Sequence, residues 1–339
     1  MESRERLKKI FSGEKADRCG FWMGDPHKDT WPIYLRHFNS KDQETLRKSL
    51  KDDFRWHCPQ WTSYRHPHGK PIWENSHVQA NGLASSGFFA DCEDPAEVEK
   101  FEWPNPDYLD FSETLGILKK TGPYYRASGF WCCFFHDVAD FFGMENYFVK
   151  MYTHPEVVEA VTRKVCGFYL EANERFYEKA GREVDGFFFG NDFGTQLDLL
   201  ISPESFDRFV MPWFRKFTEQ GHSHGYQVIL HSCGSIHKVI DRLIDSGVDA
   251  LHPLQAKACG MEAEDLAAKY KGKISFMGGI DTQDLLVNGT PEDVRKDVRR
   301  VIGLIGPNLV VSPSHEALLS NVPPENVKAM SDTVMEILM

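Results

Sequence analysis

Short apolar runs recur along the chain, each closing on polar or reactive residues and each followed by a stretch of helical period. They are RCGFWMGD (18–25), DDFRWHC (52–58), YYRASGF (124–130), VDGFFFGND (184–192), YQVILHSCG (226–234), VDALHPLQ (248–255), ISFMGGID (274–281) and NLVVSPSH (308–315). Read as strands alternating with helices, these runs predict an α/β protein built as a (β/α)8 TIM barrel. Two helical intervals are clear: SIHKVIDRLIDSG (235–247) and TPEDVRKDVRRVIGLIG (290–306) carry apolar residues at i, i+3 and i+4 and end in glycine. Thr290 with Asp293 three residues on, and Pro291 at the first helical position, mark a helix start. The first half is less regular. Its stretch from Pro59 to Gly122 contains RHPHGKPIWENSHVQANG and DCEDPAEVEKFEWPNPDYLDFS, and reads as an insertion of hairpin and loop before a helix. No repeat, linker or low-complexity run divides the chain, so residues 1–339 are expected to form one barrel domain with an insertion at 59–122.

Composition narrows the partners. The 50 acidic residues outnumber the 39 Lys and Arg, a formal net charge of −11, and such a field repels nucleic acid and anionic membrane surfaces. The N-terminal MESRERLKKIFSGEKADRCG lacks an apolar signal core, and no window reaches the roughly 18 apolar residues of a membrane span, so a cytoplasmic protein is expected. The 8 cysteines are scattered without the spacing of a disulfide framework; most then serve as small hydrophobes, and a subset could bind metal.

In barrels of this kind the active site lies at the C-terminal ends of the strands. Those ends offer Asp25, His57, Ser128, Asn191 with Asp192, His231 with Cys233, His252 with Gln255, Asp281, and His315 with Glu316. His231 and Cys233 draw the eye, because residues i and i+2 of a strand share a face and can converge on one ion. Imidazole nitrogen and thiolate sulfur suit Zn²⁺, and His315, at the end of the last strand, is the preferred third ligand, leaving a fourth position open as catalytic zinc requires. An H-x-C on a strand also fits a buried His beside a buried Cys, and spacing alone does not choose. Other pairs are weaker: His222 and His224 precede their strand, His66 and His68 read as a turn, Cys132 and Cys133 point apart, and Cys259 lies on the loop after the sixth strand. The aromatic run SGFWCCFFHDVADFFG (128–143) and the FFFGND (187–192) that closes the fourth strand supply core residues. Phe130, Trp131 and Phe189 among them are expected to line an apolar pocket beside the polar mouth.

Four stretches carry a resemblance to a known family: NDFGTQLDLLISPESFDRFVMPWFRKF, HSCGSIHKVIDRLIDSGVDALHPLQ, GGIDTQDLLVNGTPEDVRKDVRR and SPSHEALLSNVPPENVKAM. The chain resembles the uroporphyrinogen decarboxylase superfamily, and within it the cobalamin-linked methyltransferase branch, closely over 184–339 and loosely before. The resemblance implies a (β/α)8 barrel and, for the methyltransferase branch, an H-x-C zinc pair with a cysteine as third ligand near the chain end. His231 and Cys233 match the pair; His315, in SPSH, stands where that cysteine would be. The arginine-rich RQAGRY-like and the FSDI-like motifs of the porphyrinogen decarboxylases are missing, which removes partners for a polycarboxylate substrate. The function implied is a zinc-dependent methyltransferase moving a methyl group between a small molecule and a corrinoid (cobalamin) protein. Asp192, Asp281 and Glu316 would handle protons or anchor substrate, with Asn191, Gln255, His252 and Asp25 beside them. The alternatives are a metal-free decarboxylase using His315 and Asp192, and a non-catalytic corrinoid-handling barrel.

Overall fold

The structure, a computed structural model, describes residues 1–73 and 86–339. Strands β1 (Gly20–Phe21), β2 (Phe54–His57), β3 (Tyr125–Ser128), β4 (Gly186–Gly190), β5 (Gln227–His231), β6 (Ala250–His252), β7 (Ser275–Ile280) and β8 (Leu309–Pro313) each fall inside one of the apolar runs. Every strand from β2 to β8 pairs in parallel with its neighbours in sequence, and β8 returns to pair with β1, so the sheet curls onto itself. Asp53 joins the remaining seam: its N–H donates to the Phe21 carbonyl at 2.8 Å and its carboxylate accepts from the Phe21 N–H at 3.0 Å. The result is the eight-stranded (β/α)8 barrel.

Alternation along the strands divides the apolar residues between two cores. Phe54, Tyr125, Phe188, Ile229, Ala250, Met277 and Val310, with Trp22 just past β1, fill the barrel interior. Helix α1 (Ser3–Phe11) closes its N-terminal end with Leu7, Ile10 and Phe11, each 3% exposed or less, and Ser275 and Asn308 at strand starts donate to its Ile10 carbonyl. Burial of each such side chain contributes about 1.5–3 kcal/mol. Around the barrel lie α2 (Phe134–Phe142), α3 (Pro155–Ala180), α4 (Met211–Ser223), α5 (Ile240–Asp245), α6 (Pro291–Ile305) and α7 (Pro324–Glu336), among others.

Two of the expected pocket aromatics belong to this outer layer instead. Phe189 points away from the interior, stacks on Phe187 with ring centres 4.5 Å apart, and packs on Phe214 of α4. Phe130 is fully buried against Phe111 and Tyr169. The reason is the period of two: with Phe188 turned inward, Phe187 and Phe189 must face the helices.

Helix α6 starts with the predicted capping box, Thr290 Oγ1 accepting from the Asp293 N–H and the Asp293 carboxylate from the Thr290 N–H. The helix expected over 235–247 is shorter. Ser235 Oγ donates to the Cys259 carbonyl and meets His237 Nδ1, which holds 235–239 in turns and delays α5 to Ile240. Between β2 and β3 the chain forms short helices, with Phe89 and Trp103 packed on Phe141 of α2. The antiparallel pairing described there is a single bridge, Tyr64 with Leu109, and the part of the expected hairpin within 74–85 lies outside the described residues. An unexpected two-stranded parallel ladder above the mouth, Asp25–Pro26 with Ala317–Leu318, draws the His315–Glu316 segment over the barrel end. Among the described residues no helix is long and apolar enough to cross a membrane.

Candidate metal centre

The fifth strand delivers the central pair. His231 ends β5 and is 4% exposed; Cys233, two residues on, is half-buried, and its Sγ stands 3.4 Å from His231 Nε2. Gly234 makes the turn that follows possible: its φ is +81°, and a Cβ there would come within 2.3 Å of the Gly194 carbonyl oxygen. Its N–H donates to Gln255 Oε1 at 2.6 Å, tying the turn to the end of β6.

Asp192, just past β4, orients this turn. Its Oδ1 accepts from the Cys233 N–H at 2.8 Å and lies 3.3 Å from His231 Nε2. Ligand atoms of Asp192, His231 and Cys233 all fall within 4.8 Å of one another, and a second such group, His231 with His252 and Glu316, shares the same imidazole. His315 is in neither group. Its ring centre is 6.2 Å from that of His231, its Nδ1 accepts from the Ala317 N–H, and the ring approaches the Cys233 thiol.

Acidic groups dominate the electrostatics. Burial works against a proton on His231, yet the charge of Glu316, the Asp192 carboxylate and the Cys233 sulfur overcome it and raise its pKa well above the ordinary imidazole value. Burial pushes the Cys233 thiol up, and contacts with His231 and His315 outweigh it, so the thiol is more acidic than usual. Asp192 is likewise resisted by burial but lowered to about 2, mainly by His231. The field thus favours a cation at the point where Asp192, His231 and Cys233 meet. Zinc–nitrogen bonds of about 2.0–2.1 Å and zinc–sulfur bonds of about 2.3 Å, at tetrahedral angles, place two donors roughly 3.5 Å apart. The observed separations of 3.4 and 3.3 Å fit that requirement.

The remaining strand ends divide into residues that face the mouth and residues engaged elsewhere. His252 is buried with Nδ1 3.0 Å from His231 Nδ1, and Glu316 Oε2 is 3.3 Å from that same nitrogen. Asp25 sits at the rim, paired with Arg47 at 3.3 Å. Trp131 lies across the end of β4, its ring 5.3 Å from that of His231. Gly190 makes room for it, since a Cβ there would meet the indole at 2.0 Å. A cavity of about 260 Å³ opens at His315, which lines it together with Gln255, Thr282, Gln283, Asn321 and apolar Val322.

Asn191 and Asp281 are engaged by the scaffold beside the mouth. Asn191 is buried, its Oδ1 accepting from the Phe135 N–H and its Nδ2 donating to the Cys132 carbonyl, both at 2.9 Å. Asp281 accepts from the N–H groups of Gln283, Asp284 and Leu285 and pairs with Lys257, so it caps the following turn. In both, the hydrogen-bonding capacity is committed to the scaffold. The weaker pairs also resolve: His222 meets Asp249, His224 meets Glu174, and Cys259 is exposed, with its N–H donating to the Gln196 carbonyl. Two residues escaped the sequence reading. His136, in the first turn of α2, feels the charges of Asp192 and His231, and Trp56 packs on Trp131. The signal for both was the aromatic-rich company that disguised them as core.

The chain is similar in structure to a methyltransferase from Methanosarcina mazei, with 14% identity, 99% of each chain covered and a TM-score of 0.68. It is also similar to a glycoside hydrolase family 5 mannosidase from Rhizomucor miehei, with 9% identity, 94% of each chain covered and a TM-score of 0.47. A comparison with curated proteins finds no match. Residues 90–337, which include Asp192, His231, Cys233 and His315, match the sequence model of the family described as Uroporphyrinogen decarboxylase (URO-D), and the chain belongs to that family.

Proposed function

We propose that the protein is a zinc-dependent methyltransferase that moves a methyl group between a small molecule and a corrinoid carried by a separate protein. The observation that carries this reading is the convergence of His231 Nε2 and Cys233 Sγ at 3.4 Å on the barrel mouth. That spacing suits a zinc ion without movement of either side chain. His231 and Cys233 are the proposed fixed ligands and His315 the third, with Asp192 close enough to compete for a place. Zinc bound there would supply Lewis acidity, lowering the pKa of a thiol acceptor or polarising the oxygen of a methyl ether donor.

The chain's own residues supply the rest. Asp192 holds the Cys233 backbone and keeps the sulfur turned toward the mouth. Glu316 adds negative charge beside His231, and Trp131 walls one side of the imidazole against water. The cavity that His315 lines would receive the small molecule, and the open mouth would face the corrinoid protein.

A metal-free decarboxylase is the second reading, favoured by the family's description. A carboxylate substrate needs unpaired cations. Arg47 and Lys257, the cations beside these strand ends, are already paired, with Asp25 and Asp52 and with Asp281 and Asp284. Zinc content of the purified protein, with anomalous scattering at the strand ends, tests the choice. One zinc per chain, lost in His231→Ala and Cys233→Ala, is expected; a metal-free protein whose activity survives both substitutions would overturn methyl transfer by this route.

A further inference from the structure

His252 is a buried imidazole that neither packing nor the scaffold's hydrogen bonding explains. It is 1% exposed at the end of β6, in parallel register with His231 on β5. Trp22 and Phe188 enclose it, each with its ring centre 5.3 Å away. Its Nδ1 lies 3.0 Å from His231 Nδ1, while its buried Nε2 has no hydrogen-bond partner among the described residues. A leucine or phenylalanine would fill such an apolar box without stranding a polar atom, whose desolvation costs about 1–3 kcal/mol. The protein keeps an imidazole where stability argues against one.

The geometry around His231 supplies a reason. Its Nε2 faces Cys233 Sγ and Asp192 Oδ1, and its Nδ1 faces His252. Two imidazole nitrogens 3.0 Å apart are held together by one proton, so one ring donates and the other accepts. If His231 is to present a lone pair at Nε2, its hydrogen must sit on Nδ1, and His252 Nδ1 is then the acceptor. His252 carries its own hydrogen on Nε2, the atom that points into the apolar box.

We infer that His252 is a positioning residue of the centre: its Nδ1 accepts the Nδ1–H of His231 and fixes that ring with Nε2 aimed at the point shared with Cys233. The inference rests on the reading of His231 as a zinc ligand. Ligating histidines are commonly oriented by a carboxylate or a backbone carbonyl. Here Glu316 Oε2 stands 3.3 Å from the same nitrogen, yet it makes no hydrogen bond among the described residues, and the neutral ring holds the closer place. A neutral acceptor fixes the tautomer without adding negative charge to the ligand, so a bound cation keeps more of its Lewis acidity.

The test is zinc affinity by chelator competition, with thermal unfolding of the zinc-free protein in parallel, on the wild type, His252→Phe, His252→Leu, His252→Asn and Glu316→Gln. His252→Phe and His252→Leu should weaken zinc roughly 10- to 100-fold while the zinc-free protein unfolds no lower than the wild type. His252→Asn, whose amide oxygen can accept from His231, should recover part of the affinity. The inference is overturned if the affinity of both apolar variants stays within about twofold of the wild type, if Tm falls with affinity unchanged, or if Glu316→Gln weakens zinc further than either apolar variant does. Should neither apolar variant fold, His252→Ala, which also lacks an acceptor, keeps the question answerable: affinity equal to the wild type's with Tm reduced assigns His252 to the scaffold. A wild type that binds no zinc fails the metal reading itself, which separates the two failures.

Discussion

Cys233 Sγ and His231 Nε2 stand 3.4 Å apart because the two residues leave the end of one barrel strand on the same face. A divalent ion placed between them would join β5 to whichever neighbour supplies the third donor. Asp192, after β4, and His315, after β8, are the contenders, and they make different predictions. Under the proposed ligand set, His315→Ala should lower zinc affinity at least as far as a lost ligand does, while Asp192→Asn should leave stoichiometric zinc and reduce turnover. Metal analysis of the two variants decides, and the reverse pattern would move the third ligand to Asp192.

Asp137 carries a prediction about pH. Its carboxylate is buried on α2, accepts from Tyr169 Oη at 2.7 Å, and is raised by that burial from 3.8 to about 7. The folded state therefore binds this proton more tightly than the unfolded chain, and the sign follows: its contribution is neutral below pH 4 and turns increasingly unfavourable as pH rises toward 7. The total is on the order of 4 kcal/mol, taking each pKa unit as about 1.4 kcal/mol. Asp137→Asn keeps an acceptor for Tyr169 and removes the charge. Urea unfolding between pH 4 and 8 should show the wild type losing stability relative to the variant across that window; parallel curves would refute the assignment.

The seam of the barrel makes Asp53 a stability prediction. It is fully buried, receives Arg6 Nη1 at 2.9 Å and Arg18 Nη1 at 2.8 Å, and supplies the bonds that join β1 to β2. Asp53→Ala leaves Arg6 to Asp17, takes from the buried Arg18 its carboxylate partner and opens the ladder, a loss of about 3–5 kcal/mol. Chemical denaturation measures it, and a loss below about 1 kcal/mol would show that the seam is held otherwise.

Gly190 controls the wall of the centre from outside it. Gly190→Ala would drive a methyl group into the Trp131 indole, whose ring lies beside His231. Turnover should fall by tenfold or more with the variant still folded, and tryptophan fluorescence should report the displaced ring. Unchanged kinetics would mean that Trp131 is not part of the working site.

How much of this was legible beforehand follows from distances along the chain. The strands from β4 to β8 were readable because they are buried on both faces almost throughout and so form apolar runs bounded by turn residues, whereas β2 and β3 carry Arg55 and Arg126 and read less clearly. His231 and Cys233 were readable as a pair because the repeat of a strand fixes the relation of residues two apart. The missed short ladder at Asp25 and the late start of α5 depend on contacts with Glu316 and Cys259 that no local window contains.

The sequence by itself determined the barrel, the strand ends that form its mouth and the H-x-C pair, since these depend on local period and composition. Only the tertiary structure decided which polar strand ends are free to act. Asn191 and Asp281 have the chemistry of site residues, yet Cys132, Phe135 and the turn after β7 take up their hydrogen bonds. His252 looks like one more polar residue in the sequence, and parallel pairing of β5 with β6 sets it against the back of His231. The physical reason is the same in each case: a side chain's role depends on which partners satisfy it, and those partners arrive from distant parts of the chain.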